Sequence, residues 1–310
     1  MRLGFPGAGG RRSSWPRKTC ATAYHFIGEE IIVSLQDIVV YLEDLPEGQS
    51  RLEYAAALAA RFHSHLSAVF VADALELHRY SGFAVGTGIA HMFAHHSEQV
   101  RAAAARYRTL FDAALLQEEL HGDWRISDRV WGEDLMIHAR HADLAVVGPA
   151  DGPSRRKTPL SLSEDMIFAS GRPTLLVPSA WRSDRQADHI VIAWNASAEA
   201  SRAVAGALPL LYSAKQVSVV VVPQAGLPVP DGIDPGKAIV RHLGCHGVVA
   251  DLFTLEGSEA GHIVLDFCIE RDADLLVMGA YGHSKLSEAI FGGATRYVLR
   301  HAEVPILLSR

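Results

Sequence analysis

The chain has 310 residues, of which 49% are hydrophobic, with a net charge of −6 and a pI near 6.2. This length allows two ordinary domains, and the acidic balance argues against a general nucleic-acid binder, which is usually basic. No apolar run approaches the roughly 20 residues of a membrane helix, and the three cysteines share no metal or redox spacing. We therefore expect a cytoplasmic protein that binds neither nucleic acid nor membranes.

Residues 1–33 differ in composition from the rest of the chain. The segment is basic and rich in Gly, Arg and Ser, and its first acidic residue is Glu29. A transit or signal peptide is one interpretation, although no secretory apolar core of about 7–15 residues follows the basic residues. The other is that translation starts at a GTG codon for Val33, behind a ribosome-binding site encoded by Glu29 and Glu30. In either case we expect a poorly ordered or non-native extension.

The next part of the chain alternates apolar strands with helical segments. The predicted strands are DIVVYLED, HLSAVFVAD, DWRISDRV, ADLAVVGP and RPTLLVP, and the predicted helices are EGQSRLEYAAALAARFH, the Ala-rich stretch from His91 to Leu120, EDLMIHARH and a stretch around Leu160–Ser170. Short apolar strands separated by helices are typical of a parallel sheet that is covered on both faces.

The same order of elements restarts after the polar linker WRSDRQAD at residues 181–188. The second set of strands is HIVIAWN, QVSVVVV, GVVADLFTL, ADLLVMGAYG and EVPILLS. Ile38 matches Ile190 at an offset of 152 residues, and Asp143 matches Asp274 at an offset of 131, because the first half has the longer second helix. We interpret the chain as an internal repeat of one α/β domain.

This repeat predicts a first domain at residues 34–180 and a second domain at residues 189–310. In an open parallel sheet, ligands bind beyond the carboxyl ends of the strands, where the strand order reverses. In the second domain, Asn195–Ser197 and Gly279–Gly293 follow the first and fourth strands. We therefore expect a ligand site between these two segments.

The loop GAYGHSKLSEAIFGG at Gly279–Gly293 fits the pattern G-x2-G-x9-G. Glycine tolerates positive φ and lets a ligand or another backbone come close. The helix predicted after the loop begins with N–H groups that attract anions. The glycines could instead serve only to form tight turns, but three at this spacing after the fourth strand favour a phosphate site.

The stretches ADLLVMGAYGHSKL and VLRHAEVPILL resemble the universal stress protein family, whose nucleotide-binding members carry G-x2-G-x9-G-[ST] at this place. The resemblance covers residues from about 37 to 310 as two copies, and the signature is clear only in the second. It implies an α/β fold of the adenine nucleotide alpha hydrolase-like type: two tandem open five-stranded parallel sheets, order 3-2-1-4-5, with helices on both faces. It also implies that ATP or AMP, with or without Mg²⁺, binds between the first strand, the second strand and the glycine loop.

The cofactor-binding residues that this resemblance implies are Asn195, Val222, Gly279, Gly282, Gly292, Gly293 and Thr295. Gly279 and Gly282 would lie near the ribose and phosphates, and Gly292 and Gly293 would present backbone N–H groups to the phosphates. Val222 would border the adenine.

Two of these positions depart from the family pattern. Gly293 stands where the family has Ser or Thr, and Thr295 could supply the missing hydroxyl from the first helical turn. Asn195 stands where the family has Asp, so it keeps a carbonyl acceptor but loses the charge. A neutral hydrogen bond contributes about 0.5–1.5 kcal/mol and a charged one roughly 1.5–3, so we expect about tenfold weaker binding.

The first domain lacks the glycine pattern. It has GPAD at residues 148–151 where the second has GAYG at residues 279–282. Proline removes a backbone donor, and Asp151 would place a carboxylate where a phosphate would lie. Glu43 and Asp44 follow the first strand, and the nearby PSRRKTP could hold an anion or form a solvated loop. We therefore predict at most one nucleotide per chain, in the second domain.

Other motifs point to no further chemistry. His91, His95 and His96 place two histidines at i and i+4, which suits zinc, but no Glu or Cys completes the set locally, so we expect no metal. Cys268 sits at a core-facing position and is predicted to be buried. No catalytic constellation is visible, so we expect binding to be the primary event, with ATP hydrolysis slow at most.

The function that these observations favour is a regulatory or protective nucleotide-binding protein of the stress response. Two alternatives stay open at this point. The first is a module that holds a lipid or metabolite in the first domain or docks a partner on its surface, and the second is a weak ATPase.

The fifth strands RPTLLVP and VPILLS would form sheet edges in this strand order. Exposed apolar edges invite pairing. We therefore predict that the two fifth strands meet, either within the chain as a pseudo-dimer or across a homodimer.

Overall fold

The computed structural model describes residues 34–72, 87–127, 132–149, 161–223, 232–280 and 293–310, with the backbone alone at 87–90 and 132–134. The predicted extension at residues 1–33 lies outside them. The strands of the first half are β1 (Asp37–Leu42), β2 (His65–Val71), β3 (Gly122–Ser127), β4 (Leu144–Val147) and β5 (Thr174–Leu176). Its helices are α1 (Gly48–Phe62), α2 (Thr87–Gln117), α3 (Gly132–Arg140) and α4 (Leu162–Ala169).

The second half repeats this order. Its strands are β6 (His189–Ala193), β7 (Gln216–Val221), β8 (Asp251–Thr254), β9 (Leu275–Gly279) and β10 (Ile306–Ser309). Its helices are α5 (Ala198–Ser213), α6 (Pro235–Cys245), α7 (Ala260–Glu270) and α8 (Gly293–His301).

The ten strands form one sheet in the order β3-β2-β1-β4-β5-β10-β9-β6-β7-β8. Each half has the predicted order 3-2-1-4-5, with parallel pairing throughout. The two halves join where β5 and β10 pair antiparallel, with Leu175 opposite Leu307. The predicted meeting of the fifth strands is therefore confirmed, and it takes place within the chain.

Helices cover both faces of the sheet, and each face has its own apolar cluster. One cluster lies under α1, α2, α5 and α6 and includes Tyr54, Leu58 and Leu210. The other lies under α3, α4, α7 and α8 and includes Met136 and Val298. Both clusters draw residues from both halves, so the two repeats share a continuous core.

Burial follows the position of each strand in the sheet. All four residues of β4 are buried, and so are five of the six residues of β1. Parallel strands covered on both faces are apolar throughout, which explains why runs such as LAVV do not alternate. The outer strands β3 and β8 are partly exposed and carry polar side chains.

The long helix α2 ends three residues earlier than the Ala-rich pattern predicts, at Gln117 rather than Leu120. Glu119 takes a left-handed backbone conformation with φ 54°, and the Leu120 N–H donates to the Leu115 carbonyl oxygen at 2.9 Å. This arrangement is a common helix C-cap. It turns the chain into β3, which begins at Gly122.

Two equivalent aspartates show how closely the halves repeat. Asp143 accepts the backbone N–H groups of residues 36 and 37 on its Oδ2, at 2.9 and 3.1 Å. Asp274 accepts those of residues 188 and 189 in the same way, at 3.1 and 2.9 Å. Each carboxylate thus satisfies the donors at the start of the first strand of its repeat, which accounts for the matching Asp positions in the sequence.

Replacing Asp274 with Asn should lower the free energy of unfolding by about 1.5–3 kcal/mol, since hydrogen bonds to a charged group are lost. The Asp274 carboxylate also binds Arg185, whose Nε lies 2.9 Å from Oδ1. Asp272→Asn is the matched control, because Asp272 binds the same arginine but its side chain is 84% exposed. An exposed pair contributes at most about 1 kcal/mol. Equal losses in urea denaturation of the two variants would contradict this account.

Arg61 at the end of α1 links the two repeats. It donates to the carbonyl oxygens of Gln186 in the linker and Ser213 at the end of α5, and its Nη1 lies 3.2 Å from Asp188. Lys215 lies 2.8 Å from the same carboxylate. The hydrogen bond from Lys215 and the charge of Arg61 lower the pKa of Asp188.

Candidate nucleotide site

The strands β7, β6 and β9 are neighbours, and the strand order reverses at β6. Ala193 near the end of β6 pairs with Val220 on one side and with Met278 on the other. Asn195 and Val222 each lie two residues beyond this row, and Gly279 lies one residue beyond it. The structure therefore places these three predicted site residues together at the carboxyl edge of the sheet.

Asn195 starts a tight turn into α5. Its Oδ1 accepts the N–H of Ser197 at 3.1 Å, and the Ser197 hydroxyl accepts the N–H of Ala200 at 3.1 Å as the cap of α5. Between them, Ala196 has φ 57°, in the left-handed region that L-residues rarely adopt. The carbonyl acceptor predicted to face the ligand thus also holds the turn. The amide nitrogen of Asn195 adds a donor that an aspartate would lack.

Gly279 has a packing role that the sequence analysis did not predict. A Cβ at this position would lie 2.4 Å from the Ala200 nitrogen and 2.7 Å from the Glu199 carbonyl carbon. Both atoms belong to the backbone of the first turn of α5. Only glycine therefore lets the end of β9 contact the start of α5.

Helix α8 begins at the same edge of the sheet. It connects β9 to β10, which pair in parallel, so the helix must run back from the carboxyl edge to the amino edge. Its first residue is Gly293, where an added Cβ would meet no atom of the described residues outside the helix within 4 Å. Thr295 lies in the first turn as predicted and is 5% exposed. The predicted residues Gly282 and Gly292 lie outside the described residues.

Two residues that the sequence analysis missed support this edge. Trp194 follows β6 directly, and its indole N–H donates to the Pro235 carbonyl oxygen at the start of α6, at 3.0 Å. A Cβ on Gly261, in the first turn of α7, would lie 2.9 Å from the Ala294 carbonyl oxygen. The signals in the sequence that could have identified these two residues are a tryptophan at the end of a strand and a glycine within a helical segment.

Val222 is 8% exposed and belongs to the apolar cluster under α7 and α8. Little of its side chain is therefore open at the edge. The exposed part of the Val222 side chain is a small apolar surface beside the end of β7. Such a surface is better suited to contact with an aromatic ring than to contact with a charged group.

The remaining sequence candidates lie away from this edge. Cys268 is buried in α7 as predicted, and burial raises the pKa of its thiol to about 12. His91 and His95 lie on the exposed part of α2. In the parts of the chain that the structure describes, no group of three or more His, Cys, Asp or Glu side chains could hold a metal ion. No helix there is both long and apolar enough for a membrane crossing.

The comparisons with known proteins agree with this fold. A model of the universal stress protein family matches residues 186–310. The structure is similar to that of a universal stress protein from Archaeoglobus fulgidus, with 18% identity and a TM-score of 0.65 over 88% of this chain and 98% of that chain. It is also similar to that of a functionally unknown protein from Pseudomonas aeruginosa, with 17% identity and a TM-score of 0.56 over 89% of this chain and 92% of that chain.

The comparison of this chain with curated proteins finds no match. At these identities the two solved structures establish the fold, which extends over both halves of the chain. The family model covers β6 to β10, and the strand order of that half is repeated by β1 to β5. Residues 186–310 therefore form a domain that matches the universal stress protein family, and it is preceded by a second copy of the same fold.

Proposed function

We propose that the second domain binds one adenine nucleotide, ATP or AMP, at the carboxyl edge of β6, β7 and β9. The observation that carries the proposal is the convergence of three features at that edge. These are the turn at Asn195, the apolar side of Val222 and the start of α8 at Gly293. Binding would serve a regulatory or protective role in the stress response, in the cytoplasm.

The start of α8 is suited to the phosphates. The first N–H groups of a helix have no partners within the helix, and the helix dipole adds partial positive charge there. Among the described residues outside α8, no atom lies within 4 Å of the Cβ position at Gly293, so this part of the structure leaves room for a phosphate beside the backbone. Gly282 and Gly292 are proposed to complete the loop around the phosphates, and Thr295 lies in the same helical turn. Mg²⁺ could accompany the phosphates as an additional counter-charge.

The ribose and the adenine would contact the ends of the other two strands, β6 and β7. Asn195 is exposed at the end of β6, where its amide NH2 can donate to a ribose hydroxyl. Val222 lies at the end of the neighbouring β7 and would border the adenine. We infer that binding is the primary event and that any ATP hydrolysis is slow.

The first domain is proposed to bind no nucleotide. After β4 it has Gly148-Pro149, so the backbone donor that a phosphate would use at residue 149 is absent. Asp151 follows two residues later in the sequence, and its carboxylate would repel a phosphate. Ala150 and Asp151 lie outside the described residues. The chain would then bind one nucleotide rather than two.

Gly293→Asp tests the proposal against Gly293→Ala. At neither side chain would the Cβ meet a described residue outside α8 within 4 Å, so both variants should fold, and an acidic residue in a first helical turn is itself favourable by about 0.3–1 kcal/mol. At an ATP concentration of about 100 times the dissociation constant, binding should stabilise the wild type by roughly 2.7 kcal/mol, seen as a higher melting temperature. Gly293→Ala should keep this rise and Gly293→Asp should lose it, because its carboxylate repels the phosphates. A full ATP response in Gly293→Asp would refute the proposed site.

A further inference from the structure

The first domain buries an arginine at the place where the second domain has none. Arg51 of α1 is 2% exposed, and it is one of the largest fully buried side chains among the described residues. Its Nη1 donates to the Tyr41 carbonyl oxygen at 2.8 Å. Its Nε is buried and has no hydrogen-bond partner.

The guanidinium lies between the ends of β1 and β4. Tyr41 is near the end of β1, and Gly148 directly follows β4. A Cβ on Gly148 would lie 2.0 Å from Nη2 and 2.5 Å from Cζ of Arg51, so the glycine leaves room for the guanidinium. The strand order of the first half reverses between β1 and β4, and this is where such sheets bind ligands.

The charge of Arg51 is only partly compensated within the protein. Burial lowers the pKa of its guanidinium, and the charges of Glu43 and Glu47 offset part of this effect from a distance. Among the described residues, no carboxylate forms an ion pair with Arg51. In addition, Glu47 at the start of α1 makes no side-chain cap. A buried charge with an unused donor is costly unless a partner of opposite charge is present.

The second domain has no arginine at the equivalent position. At the offset of 152 residues that relates Ile38 to Ile190, Arg51 corresponds to Ala203, which is completely buried. The neighbouring Arg202 is about half exposed and pairs with Glu199 at 3.1 Å on the surface of α5. The first repeat therefore buries a guanidinium where the second buries a methyl group, and Arg202 is a surface arginine suitable for comparison.

We propose that the first domain binds one oxyanion group, the carboxylate or phosphate of a small acidic metabolite, at the guanidinium of Arg51. The group would accept from Nε and supply the missing counter-charge, in the paired geometry that guanidinium and oxyanions favour. Glu43 and Asp44, which follow β1, would repel a polyphosphate, so this site differs in ligand class from the nucleotide site of the second domain.

Arg51→Met tests this proposal in the full chain, because methionine fills a similar length without charge. Melting temperatures are measured in sodium acetate, sodium phosphate and sodium chloride at equal ionic strength. The wild type should melt higher in acetate or phosphate than in chloride, and the variant should lose this specific rise. Arg202→Met is the matched control and should keep it, together with any phosphate effect from the second domain. A rise with acetate points to carboxylate ligands, and a rise with phosphate alone points to phosphate ligands.

The same rise in Arg51→Met as in the wild type would overturn the proposal. So would the absence of any rise in the wild type. Should Arg51→Met not fold, Arg51→Lys keeps the charge but lacks the paired donors, and the anion concentration for half of the effect should increase about tenfold. An unchanged concentration in that variant would show that the guanidinium does not bind the anion.

Discussion

Gly279→Ala is expected to lower the free energy of unfolding by about 1–3 kcal/mol, the usual cost of overpacking. The added methyl group would lie 2.4 Å from the Ala200 nitrogen. This atom is backbone, so relief requires the start of α5 to move away from the end of β9. Such a movement would also displace Asn195, which begins the turn into α5. We therefore expect Gly279→Ala to bind ATP more weakly in addition to being less stable.

Gly293→Ala is the matched control for this substitution. It adds the same methyl group at the first residue of α8, where no described residue outside the helix lies within 4 Å of the Cβ position. Its stability should stay within about 0.5 kcal/mol of the wild type or rise slightly. Urea denaturation measures both variants. Equal stability of Gly279→Ala and Gly293→Ala would show that the contact between β9 and α5 tolerates a side chain.

Leu307→Ala is expected to cost about 2–5 kcal/mol, as for other leucines truncated in a closed core. Leu307 is completely buried in β10, opposite Leu175 of β5. It belongs to the apolar cluster that contains Tyr54 from the first half and Leu210 from the second. Because this cluster spans both repeats, the loss should destabilise the whole sheet in one transition.

Circular dichroism and tryptophan fluorescence during urea denaturation test this expectation. The two signals should change together in the wild type and in Leu307→Ala, at a lower urea concentration in the variant. Leu116→Ala is the control, since Leu116 is 82% exposed, and its effect should be within about 0.5 kcal/mol. Two separate transitions in the wild type would mean that the halves unfold independently in spite of their joined sheet.

The sequence predicts much of this fold because its signals are local and repeated. Buried parallel strands such as LAVV and LLVMG are continuous apolar runs between helical segments. Asp143 and Asp274 mark the same position in both copies, and the structure shows that each binds the first strand of its own repeat. The meeting of the fifth strands could also be predicted, since both would otherwise be apolar edges. The choice of pairing within the chain depends on tertiary geometry, which no local pattern records.

The details of the site depend more strongly on tertiary contacts. The spacing of Gly279 to the other glycines predicts a ligand contact, which stays a prediction, and the structure adds that the backbone of α5 leaves no room for a side chain there. The sequence Ser-Arg occurs at both Arg51 and Arg202, yet only Arg51 is buried. The two arginines lie at different positions of equivalent helices, since Arg51 corresponds to the buried Ala203 and not to Arg202. A residue pattern alone cannot distinguish these two outcomes.

Isothermal titration calorimetry of the full chain with ATP tests the central claim most directly, because it reports the number of sites as well as the affinity. We predict one ATP per chain for the wild type and for Gly293→Ala, and no measurable binding for Gly293→Asp. Two ATP molecules per chain, one ATP retained by Gly293→Asp, or no binding by the wild type at millimolar ATP would contradict a single nucleotide site in the second domain.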